Sequence, residues 1–359
     1  MIKFTNTIRN LNYSSSLILG VENSFTKALT SQNNAIVYEN VSDANYSLLM
    51  TRRNPNMSFG GLLSFPGGGI EERDFQKWKK ELIQPSFNDE NNPFYKELTT
   101  SFDNFIHPSA AFKIAAIREL FEECGFLLIP SSESGIKCEL LNIKEGDRNK
   151  PIQDLYNYHN TSPPLDRMYP WSLWTSPVHL KKRFKTLFYF SSISGVRMND
   201  QDLLLSQEVS KLTFACPTTN LIGSFGKETK KNHAPPQSYE LQRLANYEDL
   251  EELTLFAFQR LELGFENLFP KLITTSDTKV PYYLMKGDQL YDNVEEAIEE
   301  KRMSLEDDDD SDWLSYHRYA DKDWKVWPGN WWESNHSVDG HALPVRRRHL
   351  IHKYSHLYK

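Results

Sequence analysis

Three glutamates in one stretch of the chain have the spacing that could hold a divalent cation. Glu119, Glu122 and Glu123 lie in segment 110–130, AAFKIAAIRELFEECGFLLIP. Read as a helix, this segment places the three carboxylates on one face, at i, i+3 and i+4. Such carboxylates repel one another unless a cation lies among them, and hard oxygen ligands suit Mg²⁺ or Mn²⁺. Spacing alone leaves open an ordinary acidic surface helix.

Two neighbouring features must position these glutamates. The opposite side of the helix is apolar, and Gly125 can end it in a left-handed conformation. Upstream, the apolar run 62–65 predicts a buried strand, followed by Pro66 and the three consecutive glycines 67–69. Consecutive glycines let the backbone approach a ligand closely. The apolar positions of the helix, taken at 100° per residue, are Ile114, Ile117, Phe121 and Cys124.

The glycine turn and the helix together resemble the Nudix hydrolases, whose box reads G-x5-E-x7-R-E-U-x-E-E-x-G-U, with U an apolar residue. Gly68 matches the first glycine, and Asp74 stands where the family has glutamate. Residues 118–126, RELFEECGF, match every fixed position of the second half. Because 43 residues separate Asp74 from Arg118, the box is interrupted by an insertion at 75–107. This interruption resembles the coenzyme A diphosphatases of peroxisomes and mitochondria, which have a split box.

The resemblance implies an α/β Nudix fold, with a mixed β-sheet sandwiched between α-helices, an insertion in the box and a helical C-terminal extension. Periodicity alone predicts only an α/β or α+β class. The insertion is expected to be either a lid or substrate wall, or an inert surface excursion. The predicted divisions are an N-terminal segment at 1–13, a Nudix domain at 14–300, an acidic linker at 301–312 and a Trp-rich tail at 313–359.

The resemblance also implies the reaction, which is metal-dependent hydrolysis of a pyrophosphate bond. The implied substrate is coenzyme A or acyl-coenzyme A, cleaved to 3′,5′-ADP and (acyl-)4′-phosphopantetheine. Glu119, Glu122, Glu123 and the Gly67 carbonyl are the implied ligands of Mg²⁺ or Mn²⁺. Cleavage of this bond leaves one phosphate on each product.

Three further residues take part in the implied chemistry. Arg118 is expected to orient a box glutamate through a bidentate pair. Asp74 is one methylene shorter than the glutamate of the family and is predicted to make a structural bond to the loop. Either Glu122 or Glu208 would take the proton of the attacking water. Glu208 is included because many Nudix enzymes place a glutamate just before a late strand, as a further metal ligand or as the base.

Basic residues at two strand ends are candidates to contact an anionic substrate. Arg52 and Arg53 end the predicted strand 46–53, and Arg183 lies in the basic cluster 181–185. Arginine pairs well with phosphate oxygens, although a surface position is the alternative for each of the three. The resemblance extends from about residue 16 to about residue 293 and includes the segments 171–177, WSLWTSP, and 235–241, PPQSYEL.

Composition limits the classes of partner. The 359-residue chain has a formal net charge of −7, which argues against a stable nucleic-acid partner. No apolar run is long enough to span a membrane, and the three cysteines are expected to be small buried residues. The expected partner is a small molecule, coenzyme A or its thioesters, and the oligomeric state stays open.

The sequence leaves more than one compartment and more than one exact function open. Residues 1–13 carry Lys3 and Arg9 without an acid, which is the composition of a mitochondrial leader, and a frayed terminus is the alternative. The C-terminus lacks a Ser-Lys-Leu signal, and peroxisome and cytosol remain alternatives. Other substrates are NADH, ADP-ribose or an RNA cap. A non-catalytic Nudix ligand sensor is also open, although degenerate members usually lose carboxylates that this chain keeps.

Overall fold

The computed structural model describes most of the region between residues 11 and 284. No helix in that part of the chain is long and apolar enough to cross a membrane. The described residues are 5–6, 11–30, 36–39, 44–56, 60–76, 78, 93–96, 98, 106–178, 180, 182–198, 205–217, 233–262, 265–274 and 281–284. The predicted linker 301–312 and tail 313–359 lie outside them, as does most of the 1–13 segment.

Strands and helices alternate along the chain. The strands are β1 (Thr5–Asn6), β2 (Leu11–Glu22), β3 (Ile36–Glu39), β4 (Tyr46–Arg53), β5 (Leu63–Ser64), β6 (Gly67–Gly69), β7 (Phe126–Pro130), β8 (Cys138–Asn142), β9 (Tyr169–Thr175), β10 (Arg183–Arg197), β11 (Val209–Ala215), β12 (Glu266–Leu268), β13 (Lys271–Thr274) and β14 (Pro281–Leu284). The helices are α1 (Asn23–Thr30), α2 (Pro93–Lys96), α3 (Pro108–Cys124), α4 (Ile152–Tyr158), α5 (Pro235–Leu244) and α6 (Leu250–Gln259). Short 3-10 turns cover Glu72–Phe75, Glu145–Asp147, Leu165–Arg167 and Arg260–Glu262.

The main sheet is mixed, as predicted. Its central path runs β12-β9-β10-β2-β4-β11-β3. β2 lies in the middle, parallel to β10 on one edge and antiparallel to β4 and β6 on the other. The long β2 therefore carries the glycine strand β6 on the edge away from β10.

Helices cover both faces of this sheet. Successive side chains of a strand point to opposite faces, so each strand can contribute apolar residues to both. In β2, Leu17, Leu19 and Val21 belong to the core cluster that contains the apolar residues of α3. Ile18 belongs to the second cluster, which contains the apolar residues of α5 and α6. A Cβ on Gly20 would lie 2.6 Å from Leu250 Cδ1, so a glycine lets α6 approach β2. The predicted sandwich of a sheet between helices is confirmed.

The helix that carries the three glutamates agrees with its prediction. α3 begins after His107, whose side chain accepts a hydrogen bond from the Ser109 N–H, and Pro108 takes its first position. It ends at Gly125, which is left-handed with φ 73°. The predicted bounds of β4 also match the structure.

The insertion at 75–107 contributes to the core through its described aromatic residues. Phe75, Trp78, Phe94 and Tyr95 are buried. The Phe94 ring lies edge-on to Phe112 of α3, with ring centroids 5.3 Å apart. An inert surface excursion does not describe these residues. The lid alternative concerns a segment that lies largely outside the described residues.

Two segments of the resemblance that are far apart in sequence meet in the fold. Glu240 of α5 is fully buried and accepts hydrogen bonds from Trp171 Nε1 at 2.6 Å and Trp174 Nε1 at 2.8 Å. The Ser172 hydroxyl donates to the same carboxylate at 2.7 Å. Because a buried carboxylate is costly without such donors, these bonds fix α5 against β9. The three cysteines are buried, as expected.

Candidate active site

The glycine strand β6 presents alternate backbone groups to α3. Gly67 lies opposite Ser16 and Gly69 lies opposite Ser14. The pairs on either side of them make ladder bonds, since Leu17 N donates to Pro66 O and Ile70 N to Tyr13 O. In an antiparallel ladder the alternate residues then direct their N–H and C=O away from the partner strand. Accordingly, Gly69 O accepts from Arg118 and the Gly67 N–H hydrogen-bonds the Glu123 carboxylate.

Two of these glycines lie in close contact with neighbouring atoms, Gly67 with backbone and Gly68 with the end of a side chain. A Cβ on Gly67 would lie 2.5 Å from Ser15 O, and a Cβ on Gly68 would lie 2.5 Å from the Glu119 carboxylate carbon. Contacts under 3.0 Å require something to shift. The close backbone approach predicted for the glycine run is therefore present, and it is an approach to the glutamates of α3.

Arg118 uses all five of its N–H groups within this cluster. Its Nε and one Nη2 hydrogen contact the two oxygens of Asp74 at 2.7 and 3.1 Å, and Nη2 also donates to Gly69 O at 2.8 Å. Its Nη1 donates to Glu119 Oε1 at 2.8 Å and to Glu122 Oε2 at 3.0 Å. Burial alone would lower the pKa of Arg118, but Asp74 and the glutamates raise it above its ordinary range. Arg118 is therefore a permanent cation that holds the loop, the strand and two glutamates together.

The bidentate partner of Arg118 corrects one prediction. We expected the pair to be with a box glutamate, whereas the structure gives it to Asp74, and each glutamate receives one bond. Asp74 Oδ2 also accepts from the Glu71 N–H at 2.8 Å. The predicted structural bond from Asp74 to its loop is thus present, and the shorter side chain suffices because Arg118 reaches towards it.

Glu123 is the buried carboxylate of the cluster. Its residue is 6% exposed, and Oε2 has no hydrogen-bond partner among the described residues. Burial raises the pKa of Glu123 to about 8, with a further rise from Glu119 and a smaller one from Glu208. Arg53 and the Gly67 N–H act in the opposite direction. Burial also raises the pKa of Glu119, partly offset by Arg118. The buried Glu123 and the partly buried Glu119 lie side by side, and together they leave negative charge that the protein does not fully neutralise.

Arg53 and Glu208 approach this cluster from β4 and from the turn before β11. Arg53 Nη2 lies 3.5 Å from Glu208 Oε2, and both groups act on the pKa of Glu123. The position of Glu208 depends on two backbone bonds, from Asn54 N to Glu208 O and from Ser206 N to Glu123 O. The structure therefore brings Glu208 beside the helix, as the resemblance implied.

The other two candidate arginines have different surroundings from Arg53, and their role as substrate ligands stays a prediction. Neighbouring residues of a strand point to opposite faces, so Arg52 faces away from α3 while Arg53 faces it. Arg52 donates to Gly61 O at 2.9 Å and lies near the buried His233, whose pKa is lowered to about 3 by burial and by Arg52. Arg183 is 5% exposed and donates to Ser176 O and Pro177 O.

Glu122 has a partner that the sequence did not indicate. Its Oε1 lies 2.9 Å from Nη2 of Arg73, and its Oε2 is held by Arg118. Arg73 belongs to the 3-10 turn Glu72–Phe75 and also pairs with Glu71. No motif marks Arg73, and 48 residues of sequence separate it from its partner. Nearness to Asp74 was the only signal available in the sequence.

The cluster fits a divalent cation in part. Glu123 supplies an open buried oxygen, and Glu119 lies against the glycine turn. Within the part of the chain that the structure describes, no three acidic, imidazole or thiol groups already stand in a cation-holding arrangement. The carboxylates are instead paired with arginines. Arg118 Nη1 contacts both Glu119 and Glu122, and Arg73 contacts the other oxygen of Glu122.

Comparison with known proteins matches this region. A family model described as the NUDT19 Nudix domain matches residues 22–244, more than half of the chain. The chain is 28% identical over 299 residues to the acyl-coenzyme A diphosphatase NUDT19 of Xenopus laevis, covering 73% of this chain and 75% of that one. The Homo sapiens protein of the same name is 28% identical over 278 residues, covering 68% and 72%. A solved NUDIX hydrolase from Alicyclobacillus acidocaldarius has 15% identity and a TM-score of 0.45, covering 68% and 96%.

Proposed function

Because the chain belongs to the Nudix hydrolase family, we propose that it cleaves the pyrophosphate bond of coenzyme A or acyl-coenzyme A. Membership of this family makes it a Nudix pyrophosphohydrolase. The substrate is a proposal supported by the names of its relatives, which are acyl-coenzyme A diphosphatases. The structural observation that carries the reaction is Glu123, a buried carboxylate with an open oxygen beside Glu119, Arg53 and Glu208.

Mg²⁺ or Mn²⁺ is proposed as the cofactor because the site holds more negative charge than its arginines neutralise. Glu119, Glu122, Glu123 and the Gly67 carbonyl would hold it. A divalent cation there supplies positive charge for the phosphate oxygens and makes an attacking water more acidic. Two arginines have further roles in the proposed reaction. Arg118 keeps the helix and the loop in place, and Arg53 lies where it can contact a phosphate.

Glu208 is the better candidate for the general base. Both oxygens of Glu122 accept from arginines at 3.0 Å or less, whereas Glu208 has one ion pair at 3.5 Å and is half exposed. A base must be free to accept a proton from water, and a carboxylate held twice by arginine is a weaker acceptor. The water would add to one phosphorus while the bridging oxygen leaves with the other product.

We expect Glu208→Gln to lower kcat by about 10²–10⁴-fold, the range for loss of a general base. Glu251→Gln is a matched control, because Glu251 is equally exposed (54% against 53%) and also forms an ion pair. If Glu208→Gln and Glu251→Gln both retain the parent kcat, Glu208 is not the base.

Product analysis tests the reaction and the substrate together. We expect the purified protein with coenzyme A and Mn²⁺ to release 3′,5′-ADP and 4′-phosphopantetheine, resolved by chromatography with mass detection. Reaction in ¹⁸O-water shows which phosphate receives the water oxygen. Absence of cleavage with coenzyme A and an acyl-coenzyme A would contradict the substrate, and NADH, ADP-ribose and capped RNA would then be tested. Inactivity with all of these would favour a ligand sensor.

A further inference from the structure

Arg73 differs from Arg118 in ways that suit a reversible contact. The Arg118 side chain is 4% exposed and uses every N–H, whereas the Arg73 side chain is 51% exposed. Arg73 contacts Glu122 and Glu71, whose side chains are 39% and 49% exposed. Ion pairs between exposed groups are weak, while breaking a buried pair is costly. Arg73 can therefore leave Glu122 at small cost, and Arg118 cannot.

The backbone of Arg73 is nevertheless held at the cluster. Its neighbour Asp74 is 1% exposed, receives two bonds from Arg118 and accepts the Glu71 N–H. The 3-10 turn Glu72–Phe75 also buries Phe75 in the core. A flexible charged side chain thus extends from an anchored position beside Glu122. An arginine in this setting can exchange partners without movement of the chain.

We propose that Arg73 is an exchangeable counter-ion, which pairs with Glu122 when no cation is bound and with a phosphate of the substrate when Glu122 holds a cation. The proposal rests on the metal-dependent function proposed above. A cation and Arg73 compete for the same Glu122 oxygen, since Oε2 is already held by Arg118. The displaced guanidinium remains next to the cation site, and a diphosphate is the anion that would meet it there. Guanidinium–phosphate pairing is strong and directional.

The proposed exchange predicts that the Arg73→Ala variant changes its affinities for Mn²⁺ and for a diphosphate in opposite directions. Arg73→Ala removes a competitor of the cation, so we expect Mn²⁺ to bind about two- to fivefold tighter, the range for loss of an exposed ion pair. The same variant lacks a phosphate partner, so ADP, used as a diphosphate probe with saturating Mn²⁺, should bind about tenfold more weakly. A purely structural role would weaken both. Calorimetric titration measures each affinity without turnover.

Two further variants and one comparison complete the test. Arg73→Lys keeps the charge and should restore most of both affinities. Arg197→Ala removes an exposed arginine (54%) that pairs with Glu139, and it should leave both at parent values. Unchanged or weaker Mn²⁺ binding by Arg73→Ala, unchanged ADP binding, or a parent that binds no Mn²⁺ would overturn the exchange. If Arg73→Ala shows both shifts relative to the parent but the parent cleaves no coenzyme A, the proposed substrate fails and the exchange stands.

Discussion

Glu123→Gln is expected to reduce pyrophosphate hydrolysis by about a thousandfold while the protein stays folded. The side chain lies at the buried centre of the cluster, beside Glu119 and against the Gly67 N–H. Glutamine has the same shape and can still accept that N–H, so the change removes mainly the charge. The stabilisation that a cation gives to a phosphoryl transition state is several kcal/mol, and each 1.36 kcal/mol is tenfold in rate. Release of 3′,5′-ADP from coenzyme A measures the loss.

The same substitution should stabilise the metal-free protein at alkaline pH. The folded pKa of Glu123 is about 8, against an ordinary value of 4.5. An acid whose folded pKa is raised holds its proton more tightly when folded. The contribution of Glu123 to the free energy of unfolding is therefore greatest below pH 4.5 and is lost as the pH rises through 8. With chelator present, we expect Glu123→Gln to flatten this decline and to exceed the parent at pH 8 by about 2–4 kcal/mol.

Glu139→Gln is the control, because the pKa of Glu139 is shifted in the direction opposite to that of Glu123. Burial by itself would raise the pKa of Glu139, but the hydrogen bond from Arg197 and its other donors lower it. Its replacement should therefore reduce stability at neutral pH and leave turnover intact. Chemical denaturation at several pH values, with chelator and with Mn²⁺, separates the cases. Parent-like turnover by Glu123→Gln would refute the metal site, and a parental pH decline in that variant would refute the assignment of the charge.

The parts of the fold that depend on local signals were predictable from sequence. α3 has a proline at its first position, an apolar side and a left-handed glycine at its end, so its bounds follow from residue types. β4 is an apolar run that ends in two arginines, and its predicted bounds match. The glutamates of α3 were identified by spacing, and the match to the Nudix box then identified their context.

Other parts depend on contacts between distant residues and were not predictable. Periodicity did not show which of Arg52 and Arg53 faces α3, because that depends on the register of β4 against β11. Five acceptors surround Arg118, and only the fold decides that Asp74 takes the bidentate pair. The partnership of Arg73 with Glu122 crosses the insertion and belongs to no motif.

Arg118→Ala is expected to lower the free energy of unfolding by about 3–5 kcal/mol, because it leaves the buried Asp74 carboxylate without its cation. It also removes the donors to Gly69 O, Glu119 and Glu122. Activity should fall by at least about 10–100-fold even where the protein is folded, since Arg118 orients the proposed ligands. Arg118→Lys should rescue little, because one ammonium cannot reproduce five donors in a plane.

A double-mutant cycle with Asp74→Ala isolates the pair from the rest of the cluster. If the cost of Arg118→Ala comes from the stranded Asp74 carboxylate, the double variant should recover about 1–3 kcal/mol relative to the sum of the single variants. Arg197→Ala, in which an exposed arginine leaves Glu139, should cost no more than about 1 kcal/mol. Urea unfolding of the four proteins and the control gives each value. If Arg118→Ala and Arg197→Ala lower the free energy of unfolding equally, Arg118 has no central role. If the effects of Arg118→Ala and Asp74→Ala are strictly additive, the contribution of Arg118 comes from its bonds to the glutamates and the glycine strand and not from Asp74.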